Sequence, residues 1–258
     1  LQVVLFSPLD LDMIVGSPGL RRNFLNSVLE AVDVDYRNAF LEFTKALRQR
    51  NALLERAREA GVRDEKQFEY WDNISIKTGG VVAQKRQDFI EFINKSQKDI
   101  FDFVMFYDKS VISKERLLQY KEQELGAGVT LVGPHRDDFC ILIHPNINTA
   151  NKSELKESEL KDVKFFGSRG QQRLVVLQLK LLELKFIEKR LSERPILLLD
   201  DIFSELDSDH ISLVLDIISK LLSNKRRFSP ARILLILTML ILIGSYGASW
   251  YTCSERGR

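Results

Sequence analysis

Metal and disulfide chemistry have little to work with in this sequence. Its 258 residues hold only two cysteines, Cys140 and Cys253, and three histidines, His135, His144 and His210. None of these stands at zinc-ligand spacing, so neither a zinc site nor a disulfide framework is expected. So little cysteine makes a reducing cytosol the default compartment. A surplus of one charge is missing too. Lys and Arg number 38 against 36 Asp and Glu, a net charge of +2. No global basicity points to nucleic acid, so any such surface has to be local. Six prolines, 13 glycines and 45% hydrophobic residues exclude disorder, collagen and low complexity for most of the chain. The length allows one or two domains. A last absence concerns phosphate binding. No GxxxxGK[S/T] occurs anywhere in the sequence, and that loop supplies the backbone cradle and the lysine for nucleotide phosphates.

What is present begins with a strand, LQVVLF at residues 1–6, without a charged segment or signal-cleavage pattern before it. A chain that opens inside a strand reads as a fragment. Ser17-Pro18 looks like an N-cap with proline at the first helical position, and Leu25, Val28, Leu29 and Val32 give the helix after it one apolar face. A second helix is expected over Asp35–Ala60 on the stripe Tyr36, Phe40, Phe43, Leu47 and Leu54, with Gly61 stopping it. After Trp71 and Gly79-Gly80, a third helix is expected to carry Phe89, Ile93, Ile100 and Val104 on one face.

Glycines and strands return after Gly126. Short strands are expected at Thr130–Val132 and Phe139–Ile143, separated by GPHRDD, and a polar surface loop at 146–162. The helix Gln171–Leu191 is apolar on most sides and therefore buried. Pro195 ends it. Ile196–Leu199 is a short apolar run of the kind that forms a buried parallel strand. These elements make an α/β chain divided at 1–19, 20–125, 126–222 and 223–258.

Three stretches carry chemistry. ILLLDD, residues 196–201, places two carboxylates where the strands of open α/β sheets deliver ligand-binding groups. Asp200 would hold Mg²⁺, usually through water, and Asp201 would orient or deprotonate an attacking water. A strand end facing solvent is the plainer alternative. GSRGQQR, Gly167–Arg173, opens a helix and can offer backbone N–H groups, the Ser168 hydroxyl and the Arg169 charge to a phosphate. A capped turn is the alternative there. FSELD, Phe203–Asp207, can be a turn in which Ser204 caps the next helix.

In that order and spacing the three resemble the signature, Walker B strand and D-loop of an ABC-type ATPase head. PLDLDMIVGSPGLRRNFLN at 8–26, GPHRDDF at 133–139 and FGSRGQQR at 166–173 narrow the resemblance to the RecF family of bacterial DNA replication and repair proteins. It covers residues 1 to about 222. Leu9 departs from the acidic residue that the family carries after the proline, and the 146–162 loop is longer than usual. The resemblance implies an ABC/SMC-type head with an α-helical second lobe, its P-loop part absent. It implies ATP and Mg²⁺ as cofactors, an ATP-dependent homodimer that clamps DNA, and work beside RecR and RecO in loading recombinase at gaps. By position, Ser168, Arg169, Gly170 and Gln171 would face the γ-phosphate held by a partner. Asp200 would serve Mg²⁺, Asp201 would be the catalytic carboxylate, and Ser204 and Asp207 would form the D-loop. Hydrolysis would be slow, and without its P-loop the chain would not be active alone.

Arg21 and Arg22 stand in the first turn of a helix, where positive charge opposes the helix dipole. An internal carboxylate, DNA or another phosphate, and plain solvation are all open readings, and both residues are candidates for DNA contact. His135-Arg136-Asp137-Asp138 reads best as a local ion-pair cluster. His144 and His210 read as structural or exposed. The carboxyl end breaks with the family. From Ile233 to Tyr251 no residue is charged, and as helix that stretch would be about 28 Å long, close to a bilayer core. A frameshift near Lys225 is the favoured reading, with a membrane anchor and a buried strand as the others. A membrane partner is not expected. Two alternatives stand beside the leading function, another SMC- or ABC-type head and a non-enzymatic membrane-anchored scaffold. The lack of a long heptad coiled coil speaks against SMC proteins.

Overall fold

A computed structural model describes residues 2–144, 159–193, 195–203 and 206–223. Ser204, the apolar stretch 233–251 and most of the 146–162 loop lie outside the described residues.

Strand β1 (Val3–Phe6) alternates as a half-buried strand should, with Val4 and Phe6 inside and Val3 and Leu5 outside. It pairs in parallel with β5 (Ile196–Leu199), Val3 opposite Ile196 and Phe6 opposite Leu199. The parallel strand expected at 196–199 is therefore present. Its two aspartates follow at the same end of the pair as Ser7, and Asp200 N donates to Phe6 O at 2.9 Å.

The helices follow their apolar stripes. After a 3-10 turn at Pro8–Leu11 come α1 (Asp12–Val15) and α2 (Pro18–Val32), the latter with Ser17 at its N-cap and Phe24, Leu25, Val28 and Leu29 buried. Helix α3 (Val34–Ala60) starts at Asp33, whose carboxylate accepts from Tyr36 N, and ends at Gly61 with φ 67°, a left-handed stop that glycine adopts without penalty. Helix α4 (Glu65–Lys95) then returns along α3. At 1.5 Å per residue the two run about 40 and 46 Å. Gly79-Gly80 does not interrupt α4, in contrast to the helix start expected after it. A Cβ at Gly79 would lie 2.8 Å from Ile112 Cγ2 and 3.2 Å from Phe43 Cε2, so this glycine allows α3 and α4 to approach.

The third helix is also shorter at its carboxyl end than its stripe suggests. It caps at Ser96, and Val104 instead opens strand β2 (Val104–Asp108). Phe89 and Ile93 lie buried on the helix, and Ile100 is buried in the connection. Strand β2 is antiparallel to β3 (Asp138–Ile143), which pairs in turn with the two-residue β4 (Lys161–Asp162). Between β2 and β3 lie α5 (Lys114–Gln119), α6 (Lys121–Ala127) and a 3-10 turn at Pro134–Arg136.

Thr130–Val132 is not a strand. Side chains take the N–H groups that a ladder would use: Thr130 N donates to Asn51 Oδ1 at 2.9 Å and Leu131 N to Glu124 Oε1 at 2.8 Å. A buried arginine anchors the same segment. Arg50 donates to Asp72, Thr130 and Glu124 at 2.6, 2.8 and 2.7 Å.

The short α7 (Val163–Phe166) leads into α8 (Arg169–Leu191). Helix α8 is buried on nearly every side from Gln172 to Glu183, as its apolar sequence demands. One continuous core joins it to β1, α2, α4, β2, β3 and β5, through residues such as Phe6, Leu25, Phe89, Ile141, Leu179 and Leu197. Helix α9 (Ser208–Ser223) closes the described chain. No helix among the described residues is long and apolar enough to cross a membrane.

Candidate functional site

Two chain segments nearly thirty residues apart meet at the carboxyl end of β5. One is the start of α8. Ser168 is its N-cap: Oγ accepts from Gln171 N at 3.2 Å, and Gln171 Oε1 accepts from Ser168 N at 2.9 Å. This reciprocal pair is a capping box, and it settles the amino end of the helix. The first intrahelical bond runs from Gln172 N to Ser168 O at 2.9 Å. The N–H groups of Arg169 and Gly170 therefore belong to the open amino end, where a helix offers donors and positive potential to an anion.

Gly167 sits tightly in the turn before the cap. A Cβ there would meet Val163 O at 2.7 Å. Gln172 braces the same turn from below, its buried amide donating to Val163 O at 3.1 Å and Gly167 O at 3.3 Å.

The other segment is the pair of aspartates. Asp201 has φ 49°, a left-handed conformation that costs most residues energy but is least unfavourable for Asp and Asn. Arg173, one turn into α8 and almost wholly buried, donates from Nη2 to the Asp201 carbonyl oxygen. Its Nη2 also lies 3.9 Å from Asp201 Oδ2, and the Asp201 side chain stays 54% exposed. Arg173 thus ties the helix that carries Ser168 to the backbone beneath the double aspartate. A divalent ion at a nucleotide takes one or two carboxylates, the remaining ligands being phosphate oxygens and water. That is a donor set that Asp200 and Asp201 can meet without a larger acidic cluster.

Asp207 acts as the cap of α9. Its Oδ1 accepts from His210 N at 2.9 Å and its carboxylate meets His210 Nδ1 at 2.8 Å. Those bonds hold the carboxyl below the usual range, the backbone N–H of His210 contributing most. The alternative in which Ser204 caps this helix falls on a residue outside the described ones.

The structure separates the neighbouring arginines. Arg21 is buried and takes an internal carboxylate, Nε to Asp138 Oδ1 at 2.6 Å and Nη2 to Asp138 Oδ2 at 2.9 Å. Arg21 as a DNA contact is therefore corrected: its fork is spent inside the protein. Among the described residues Arg22 donates to a main-chain oxygen, Asp137 O at 2.9 Å. The GPHRDD segment is not the local ion-pair cluster expected: among the described residues its aspartates pair with Arg86 and Arg21 from other elements, and Arg136 and His135 meet the Thr130 main-chain oxygen. Fully buried Asp137 accepts from Arg86 Nη1 at 2.8 Å, from Ser110 N at 2.7 Å and from the Tyr107 hydroxyl. Burial pushes its carboxyl upward against the pull of those donors, and pushes the Tyr107 hydroxyl upward as well. His135 is held neutral by burial, its pKa lowered to about 4, while its Nε2 meets Thr130 O at 3.0 Å.

Sequence reasoning quoted Gln172 and Arg173 but gave neither a role. Arg86 and Tyr107 were not singled out at all. For Arg173 the available signal is a charged residue on a helix buried on nearly every side, which has to find a partner; Arg86 on the charged α4 and Tyr107 on strand β2 carry no such signal.

No family model matches the chain. Among curated proteins it is similar to the DNA replication and repair protein RecF of Moorella thermoacetica, 34% identical over 228 residues, which cover 84% of this chain and 57% of the relative. It is 36% identical over 237 residues to RecF of Clostridium botulinum strain Alaska E43, covering 84% and 59%. Among solved structures it resembles the recombination mediator protein RecF-ATPrS in the RecFOR pathway, at TM-score 0.70 and 29% identity over 84% of this chain and 59% of that one. The corresponding RecF-ATP structure gives TM-score 0.69 at 28% identity, over 83% and 58%. The chain thus spans a little over half the length of the relatives it matches.

Proposed function

The chain is a homologue of the RecF DNA replication and repair proteins, and from that we propose that it supplies the signature and Walker B half of an ATP-dependent DNA-binding switch. In this reading the amino end of α8, with Ser168, Arg169, Gly170 and Gln171, meets the γ-phosphate of a nucleotide held by a second copy. Asp200 holds Mg²⁺ and Asp201 aligns the attacking water for a nucleotide bound to its own head. Asp207, with Ser204, lies at the junction between copies. Nucleotide-driven pairing clamps DNA, and the switch acts beside RecR and RecO to load recombinase at gaps.

The observation that carries this reading is the Arg173–Asp201 link. A phosphate-facing helix end and a pair of carboxylates have to move as one unit if nucleotide binding in one copy is to be felt at the aspartates of another. Arg173 provides that unit. A second support is the apolar surface beside the signature, where Phe165 and Phe166 are 72% and 60% exposed. Such a pair would be covered if this face meets a second copy.

Bound Mg²⁺ would polarise the γ-phosphate; the protein groups position and orient. The catalytic assignment is tested by joining the chain to the upstream P-loop segment of a RecF relative. Asp201→Asn in that protein is expected to lower ATP hydrolysis at least roughly 100-fold, the usual loss when a base or water-orienting group is removed, while ATP binding persists. Hydrolysis near the unsubstituted rate would remove Asp201 from the mechanism.

A further inference from the structure

Four arginines and two aspartates converge around the 3-10 turn at Pro134–Arg136. Both aspartates are already engaged. Asp137 pairs with Arg86 at 2.8 Å, and Asp138 pairs with Arg21 at 2.6 Å. That leaves Arg22 and Arg136, and among the described residues neither has a carboxylate at ion-pair distance. Each is fixed by a main-chain oxygen instead: Arg22 Nη1 to Asp137 O at 2.9 Å, Arg136 Nη2 to Thr130 O at 3.2 Å.

The two guanidinium groups act on each other and on the same neighbours. Arg22 is only partly exposed; its burial and the charges of Arg86 and Arg136 work against its own and outweigh the support it draws from Asp138 and Asp137. The same two arginines, 22 and 136, oppose protonation of His135, which burial already keeps neutral. The support beneath them is rigid. Gly133 has φ 126°, Pro134 follows it, and Arg136 N closes the turn on Gly133 O at 2.8 Å. One cation on this turn and one on α2, each fixed to a main-chain oxygen at or beside the turn while Asp137 and Asp138 pair with other arginines, form a preorganised anion seat. Preorganisation lowers the entropy lost on binding, and the guanidinium fork matches phosphate oxygens.

We propose that Arg22 and Arg136 together seat a phosphodiester of a nucleic-acid backbone. The proposal rests on the reading of the chain as DNA-binding and names the surface that meets the DNA. With a net charge of only +2, the protein has little general attraction for a polyanion, so a local seat of this kind has to provide the contact. Backbone contacts position DNA without reading its sequence.

The test is fluorescence anisotropy of a labelled DNA duplex, with ATP present, against the chain joined to the upstream P-loop segment of a RecF relative, titrated over a range of salt. Arg22→Gln and Arg136→Gln are compared with Lys66→Gln, an exposed lysine on α4, and thermal unfolding checks that each variant is folded. Each arginine variant is expected to weaken binding roughly tenfold, as losing a charge-assisted hydrogen bond does. Each should also reduce the slope of log affinity against log salt by about one phosphate's worth, with Lys66→Gln unchanged. Inorganic phosphate at matched ionic strength should not displace the duplex. If the protein binds DNA and both arginine variants keep its affinity and slope, the seat is wrong while the DNA-binding reading stands. If the unsubstituted protein binds no DNA, both fall. Specific displacement by inorganic phosphate, lost in the variants, would make the seat a free-anion site and overturn the nucleic-acid assignment.

Discussion

Arg173 Nη2 donates to the carbonyl oxygen of Asp201 and so joins helix α8 to the end of strand β5. The bond holds a non-glycine residue in left-handed conformation, and such conformations persist only where the surroundings enforce them.

Arg173→Met keeps most of the buried volume and removes the donor. It is expected to cost about 1.5–3 kcal/mol, the range for losing a hydrogen bond to a charged group. Urea unfolding should show a lower midpoint with an unchanged slope. A midpoint equal to that of the unsubstituted protein would show that the link carries no stability.

Gly79 and Gly80 are adjacent on α4 yet should respond oppositely to alanine. A Cβ at Gly79 meets Ile112 and Phe43 at 2.8 and 3.2 Å, whereas one at Gly80 meets nothing within 4 Å. Gly79→Ala should destabilise by about 1–3 kcal/mol through overpacking, offset in part by helix propensity. Gly80→Ala should stabilise by about 0.5–1 kcal/mol. Melting temperatures that move the same way for both would contradict this packing.

Those two glycines also show where the sequence was hard to read. A Gly-Gly pair in a charged stretch looks like punctuation, and only the opposite helix reveals that Gly79 is a contact. Helices α2, α3 and α8 were legible because stripe, cap and stop agreed: Ser17-Pro18 at one start, Gly61 at one end, apolar residues on the buried faces. The parallel strand at Ile196–Leu199 was legible from its apolar run. Thr130–Val132 has a strand's composition, but its N–H groups go to Asn51 and Glu124, far away in the sequence or on another element. The candidate site was legible as motifs and not as a connected unit, because Arg173 faces inward from a helix whose apolar pattern hides one charged residue. Arg21 and Arg22 are identical in type and adjacent, so only the fold could assign one to Asp138 and leave the other at the surface.

His135 gives the protein a pH dependence of definite sign. Its pKa is lowered to about 4 from 6.5, so the unfolded chain takes up the proton first as pH falls. Stability from the buried neutral ring is complete above about pH 6.5 and is lost as pH drops toward about 4. The span corresponds to roughly 3 kcal/mol at about 1.4 kcal/mol per unit. Urea midpoints of His135→Gln should fall less steeply over that window than those of the unsubstituted protein. Parallel profiles would mean that the ring does not titrate this way.

Asp137 should be intolerant of losing its partner. Arg86→Met leaves a fully buried carboxyl without its guanidinium, and breaking a buried pair on one side typically costs about 3–5 kcal/mol. The loss should be reduced in Arg86→Met with Asp137→Asn, since no charge is then stranded. A double variant as unstable as the sum of the two single ones would show that the two residues do not interact.

The switch reading is tested most directly by light scattering of this chain mixed with full-length Moorella thermoacetica RecF, with ATP and with ADP. On the proposed reading the full-length protein brings a nucleotide site, and the α8 amino end at Ser168–Gln171 should close over it. The expected result is a 1:1 complex with ATP, none with ADP, and loss of the ATP complex in Ser168→Arg, whose side chain would fill the γ-phosphate position. Absence of any ATP-dependent complex, or one that Ser168→Arg leaves intact, would contradict the assignment of the α8 amino end as the surface that meets a partner's nucleotide.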